Sequence, residues 1–291
     1  MARTLTTVVG LAVLAGGVAP ARAADTIVVK PARGVEAPVG KDKRVDHTVW
    51  HKLLKRYVDA QGRVDYRAWK KQGRPTLDRY LQSLAAVKPA ALADKNERLA
   101  FWINAYNALT IKGMLHFYPT TSIKKHTSVL WGFHFFDDVR LVVAGAERSV
   151  DHIEHKILRK MQEPRIHFAI VCASTGCPRL RAEAYTGPTV QTQLASAARD
   201  FFNTRKHFRI DRAKRTVWFS KILKWFGADF GGTDQKLLRY AARQVLNPAD
   251  RAFLQGPDLD VEFLDYDWSI NKQPKKKSAK TPDPKPGSAK R

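Results

Sequence analysis

Between residues 45 and 271, apolar positions recur in short blocks whose spacing switches between helical and extended. Residues 49–58 and 77–84 each carry apolar side chains on one helical face. Asp94, with Glu97 three residues on, is a capping box that opens the clearest helix. Leu99, Trp102, Tyr106 and Leu109 follow at intervals of three and four and predict a buried stripe, with Pro119 just beyond the helix end. Residues 139–143 read as a strand. Ser149 can cap a helix whose Ile153, Ile157 and Met161 share a face. Residues 165–172 are almost continuously apolar, the pattern of a strand buried on both faces. A helix is expected over 190–202, a hairpin over 207–210 and 216–219, helices at 220–226 and 235–246, and a last strand at 261–264. Helices and strands are irregularly mixed, so the expected class is α+β: a single mixed helical and sheet domain with a buried central strand and a flexible basic C-terminal tail.

The two ends lack this pattern. Residues 1–23 have the layout of a secretory signal: Arg3, an apolar run over 8–18 and the small-x-small site Ala21-Arg22-Ala23. That run is shorter than the roughly 20 residues a bilayer span needs, and no later stretch is longer, so the expected compartment is the periplasm or the exterior. Residues 24–44 read as a flexible lead-in, 45–271 as the domain and 272–291 as a disordered basic tail. The net charge is +24; the signal accounts for two and the tail for seven, leaving +15 on residues 24–271. Such a surface can attract an anionic envelope partner, with the tail as its strongest contact. There is no P-loop, GxGxxG, CxxC or HExxH, so no nucleotide, metal or other cofactor is implied.

The stretches AFWINAYNAL at 100–109, DHIEHKIL at 151–158, RIHFAIVCAS at 165–174 with Gly176-Cys177-Pro178, and YDWSIN at 266–271 resemble, in that order, the family known as domain of unknown function 547 (DUF547). The resemblance spans roughly residues 45–271. The family name brings no reaction. Its relatives include fusions to leucine-zipper segments and to glutaredoxin-like domains, which implies an interaction role or thiol chemistry by association only.

Cys172 is the first candidate for chemistry. It enters the small-residue turn Ala173–Cys177, where free N–H groups can cradle an oxyanion. A cysteine nucleophile needs a base. His152 and His155, three apart on one helical face, and His167, five residues before Cys172, are the candidates, with Asn104 or Asn107 as an orienting amide. Alternatively, Cys172 and Cys177 form a bridge across the turn, as a structural staple or a reversible redox pair. Asn104 and Asn107 can equally cap neighbouring backbone, and His167 can be a structural histidine. The acids Asp258, Asp260, Glu262, Asp265 and Asp267 read as a solvated or Arg-paired strand face. Trp131, Phe133, Phe135 and Phe136, beside His134, Asp137 and Asp138, line a groove or plug the core. Three functions follow: a cysteine-dependent hydrolase or acyl-transfer enzyme with papain- or transglutaminase-like logic acting on a protein or small molecule, a non-catalytic envelope scaffold, or a thiol–disulfide protein.

Overall fold

The computed structural model describes residues 26–126 and 134–274. The signal-like segment, the tail from residue 275, Trp131 and Phe133 lie outside the described residues. The fold is α+β, built around the helix Lys95–Phe117. Asp94 caps it by accepting from the Glu97 N–H at 2.8 Å. The reciprocal half of the expected box is absent: the Glu97 carboxylate accepts instead from the Val45 N–H at 2.9 Å, tying down the chain that leads into the domain. Every residue from Leu99 to Ile111 is buried, so the predicted stripe is one side of a helix enclosed all round.

Two small sheets flank it. In the first, β1 (Ile27–Val29) pairs in parallel with β2 (Val139–Val143), which forms an antiparallel hairpin with β3 (Ala146–Ser149) through Ala144 and Gly145, both at positive φ. β2 packs closely on the central helix at Gly113, where a Cβ would come within 2.7 Å of the Phe135 ring and 2.8 Å of Val139. The second sheet joins β4 (Phe208–Asp211), β5 (Thr216–Ser220) and β6 (Asp260–Leu264), with β5–β6 parallel. Helix Val190–Phe202 lies between the central helix and this second sheet and feeds both apolar cores.

Three expectations change. The lead-in is not wholly unstructured, because Ile27–Val29 is a sheet strand and Val39 bridges Val45; strand pairing needs only three residues there, too few for a periodic signal. A further helix, Pro248–Leu254, follows the shorter-than-expected Asp234–Ala242 and is capped by Asn247. Most consequentially, residues 165–172 do not form the central buried strand. Pro164–Phe168 is a 3-10 turn, and the chain then runs through the core without regular structure, buried as far as Val171. Its backbone polar groups are met by a side chain in place of a neighbouring strand: Asn107 donates to Ala169 O at 3.0 Å and accepts from Val171 N–H at 2.9 Å. A buried apolar run is compatible with any backbone whose hydrogen bonds are satisfied, and here an amide does what a sheet ladder would do.

The chain closes with a strap after β6. Gly176 N–H donates to Asp267 O, Thr175 N–H to Ser269 O, Ile270 N–H to Thr121 O, Asn271 N–H to Ala173 O and Val64 N–H to Asn271 O. This strap ties the Cys172–Cys177 turn to the rest of the domain.

Candidate functional site at a cysteine pair

The turn after Val171 carries Ala173 at φ 68°, a left-handed conformation uncommon for a residue with a side chain. It folds the chain back so that Cys172 and Cys177 are joined as a disulfide, with their Cα atoms 6.4 Å apart. The two sulfurs differ in setting. Cys172 is partly exposed, whereas Cys177 is 4% exposed. Cys177 Sγ accepts the Cys172 N–H at 3.1 Å and lies 3.1 Å from the Tyr266 hydroxyl. Cys172 Sγ lies 2.7 Å from Ser174 Oγ and 3.2 Å from the same Tyr266 hydroxyl. Burial raises the Tyr266 pKa above the usual phenol range, so its hydroxyl keeps a proton to donate to sulfur.

Both sulfurs and Tyr266 border a cavity of about 260 Å³. One wall is acidic and comes from the short helical turns after β3. Glu154 lies there and accepts from the Tyr106 hydroxyl at 2.9 Å. Burial pushes its carboxyl up to about 7, against the lowering effect of the Tyr106 bond. Asp151 and Asp137 line the same cavity. The cavity is also lined by aromatic rings: Trp225, Phe226, Trp268 and Tyr266. Ring centroids are 4.9 Å apart for Trp225–Tyr266, 5.7 Å for Trp225–Trp268 and 4.5 Å for Tyr266–Trp268.

Two of the histidines expected at the site border this cavity, His155 and His167. His167 donates from Nε2 to Asp229 Oδ2 at 2.7 Å and stacks on Phe226 at 4.0 Å. Burial outweighs the Asp229 bond and pulls its pKa down to about 4, so the ring is neutral at pH 7. Asp229 is held near 2, first by the two-pronged Arg159 guanidinium and then by His167, against a smaller opposing effect of burial. His155 sits between Asp151, 3.4 Å from Nε2, and Arg159, whose Nη1 donates to Nδ1 at 3.2 Å. His152 does not line the cavity; its pKa is lowered by burial and then by Arg148 and Lys156. Asn104 is also apart from it: fully buried, it donates to Tyr185 O at 2.7 Å and accepts from Tyr185 N–H at 3.0 Å. Asn104 and Asn107 thus grip two loop segments from adjacent turns of one helix.

The aromatic stretch near residue 135 divides. Phe135 is buried against Phe117 at 5.9 Å, and Phe136 lines the cavity. Among the late acids, Asp265 pairs with Lys221 at 3.0 Å. Sequence reasoning did not single out Glu154, Trp225, Phe226 or Asp229, and it read Tyr106 only as part of the buried stripe. Glu154 carries a weak signal, a carboxylate one residue from the buried Ile153 inside a family-like motif. Asp229 carries none, since its partner His167 is 62 residues away.

Residues 89–202 match the family model described as "Protein of unknown function, DUF547". That stretch is a DUF547 domain. It contains the central helix, Glu154, both histidines and both cysteines. The DUF547 match ends before Trp225, Phe226, Asp229, Tyr266 and Trp268, so the aromatic wall comes from sequence outside it. Among curated proteins and among solved structures, nothing matches the chain.

Proposed function

We propose that the chain is a thiol–disulfide protein whose reactive element is the Cys172–Cys177 pair. The observation that carries this reading is the asymmetry of the bond. Both cysteines border the cavity, but Cys172 is the more exposed, whereas Cys177 is almost buried and its sulfur accepts the Cys172 N–H. An incoming thiolate attacks Cys172 Sγ, the S–S bond breaks, and its electron pair leaves on Cys177 Sγ. There the Cys172 N–H and the Tyr266 hydroxyl receive the charge. A second thiolate attacks the incoming sulfur of the mixed disulfide and releases Cys172 as a thiolate. The products are the protein dithiol and an external disulfide, and the reverse sequence oxidises the protein. Acyl transfer ranks second. His155 and His167 border the same cavity as Cys172, but the near neighbours of its sulfur are the hydroxyls of Ser174 and Tyr266, and an acyl-transfer nucleophile also requires the reduced state.

The test is a titration of the folded protein in thiol buffers, quenched by alkylation and read by intact mass. Exchange predicts reduction without unfolding and alkylation of Cys172 ahead of Cys177. A pair that stays oxidised in excess thiol until denaturant is added is a structural staple, and exchange is then wrong. We also propose export, supported by the layout of residues 1–23. A chain recovered from the periplasm or medium should begin at Ala24, whereas retention in the cytoplasm with Met1 present would refute it.

A further inference from the structure

The lining of the disulfide cavity runs against the charge of the chain. The sequence carries +24 overall, yet the described residues around this cavity include Asp137, Asp151 and Glu154 and not one Lys or Arg. The same lining carries the ring cluster of Trp225, Tyr266 and Trp268, with Trp225 47% exposed. The electron-rich faces of such rings attract cations, and carboxylates across a small partly enclosed space add to that attraction. The chain already uses one of these rings in this way: Lys124 Nζ lies 4.8 Å from the Trp268 ring centroid. Among the described residues, no cation lies over Trp225 or Tyr266. The thiols proposed to react at Cys172 enter through this same space.

From this juxtaposition of an aromatic wall, an acidic wall and an accessible sulfur, we propose that the cavity selects a cationic substrate, an amine-bearing thiol or disulfide. The inference rests on the exchange reading above and specifies its substrate class. The ammonium group is held by the Trp225 and Tyr266 rings and the Asp151 carboxylate, with the ligand's sulfur reaching Cys172 Sγ in the same cavity. In the oxidative direction the Cys172 thiolate attacks one sulfur of the ligand disulfide, and the ligand S–S bond breaks. One aminothiolate departs and takes up a proton. The Cys177 thiolate then attacks Cys172 Sγ and expels the second aminothiolate. The protein dithiol is oxidised and the ligand disulfide is reduced to two thiols.

Three disulfides of nearly equal size separate this idea from bulk electrostatics: cystamine (cationic), 2-hydroxyethyl disulfide (neutral) and 3,3′-dithiodipropionate (anionic). The protein is reduced, desalted and mixed with each, and each rate is divided by that of the same disulfide with dithiothreitol. The net positive charge alone favours the anion. The cavity favours the cation, by about tenfold over the neutral compound for a combined interaction of roughly 1–2 kcal/mol. Asp151→Asn and Trp225→Leu should each cut that cation-to-neutral ratio several-fold. Equal normalised rates, or a preference for the anion, overturn the cation inference and leave exchange standing. Reaction with none of the three removes exchange. Binding then decides the cavity by itself, with butylammonium, 1-butanol and butanoate titrated against tryptophan fluorescence of the oxidised protein. Saturation by butylammonium alone upholds cation selection, and any other result overturns it.

Discussion

The molecule has two apolar cores of different character, and the disulfide cavity lies where they meet. The larger core surrounds the central helix and is built from aliphatic, tryptophan and tyrosine side chains, with the Asn104 and Asn107 amides among them tied to backbone. The smaller lies under β4–β6 and is dense in phenylalanine: Phe168, Phe201, Phe202, Phe208, Phe219 and Phe230. Tyr266 packs against both. The DUF547 match covers much of the first core and stops at the end of the helix that enters the second. The comparison teaches that the disulfide and the aromatic part of its cavity come from different parts of the chain. One part can therefore vary while the other is held.

Acid should separate the cores most strongly. His47, in the first, is pulled down to about 4 by burial, as is His167 at the seam, and burial also lowers His207, in the second, well below the usual imidazole range. Each stays neutral in the folded state and takes a proton in the unfolded chain below about 6.5, so its contribution is complete above that pH and is lost as pH falls toward 4. The loss is roughly 3 kcal/mol each for His47 and His167. Glu154 works in the opposite sense between about 4.5 and 7, because its folded-state pKa is raised and the folded protein holds a proton the unfolded one releases. Unfolding free energies from denaturant titrations between pH 7 and 4 should fall by several kcal/mol in total, with His207→Phe flattening the loss. A flat profile would mean that the buried histidines are protonated in the folded state.

Phe168 is the sharpest mechanical link between the regions. It lies in the DUF547 stretch but packs at 4.6 Å on Phe201 and 5.6 Å on Phe230. Phe168→Ala should cost roughly 3–5 kcal/mol in chemical denaturation and protect the first core's amides more than the second's in hydrogen exchange. Uniform loss of protection would make the two cores one cooperative unit. Asn107→Ala comes next, at roughly 2–3 kcal/mol, because Ala169 O and Val171 N–H lose their buried partner. That variant should also speed alkylation of the reduced cysteines; unchanged thiol reactivity would separate the clamp from the site. The smallest effect is expected for Tyr266→Phe, at about 1 kcal/mol or less in stability, with slower thiol–disulfide exchange as the larger readout.

The first core was more legible in the sequence than the site. The Asp94 cap, the apolar spacing from Leu99 to Leu109 and the hairpin at 208–220 are local signals, and local hydrogen bonding enforces them. The segment before Cys172 was misread as a strand because burial, not backbone pairing, makes a run apolar, and Asn107 supplies its hydrogen bonds from 62 to 64 positions away in the chain. Cys172, His155 and His167 were visible as residue types and do converge on one cavity. Their companions Asp229 and Tyr266 arrive from distant sequence and leave no periodic trace. Asn104 looked like an orienting amide and is occupied by Tyr185 on both of its polar atoms.

The closing strap also sets an order of events. The cysteines are five residues apart in a tight turn, and both leave the ribosome, or any narrow pore entered N-terminus first, long before residues 266–271 do. The S–S bond can therefore form on a nascent chain that still lacks the Tyr266 hydroxyl, the Trp268 ring and the backbone carbonyls that hold Thr175 and Gly176. For that interval the sulfurs stand in open solvent. Only when the last described residues have cleared does the bond acquire its donors, its walls and the surroundings that distinguish one sulfur from the other.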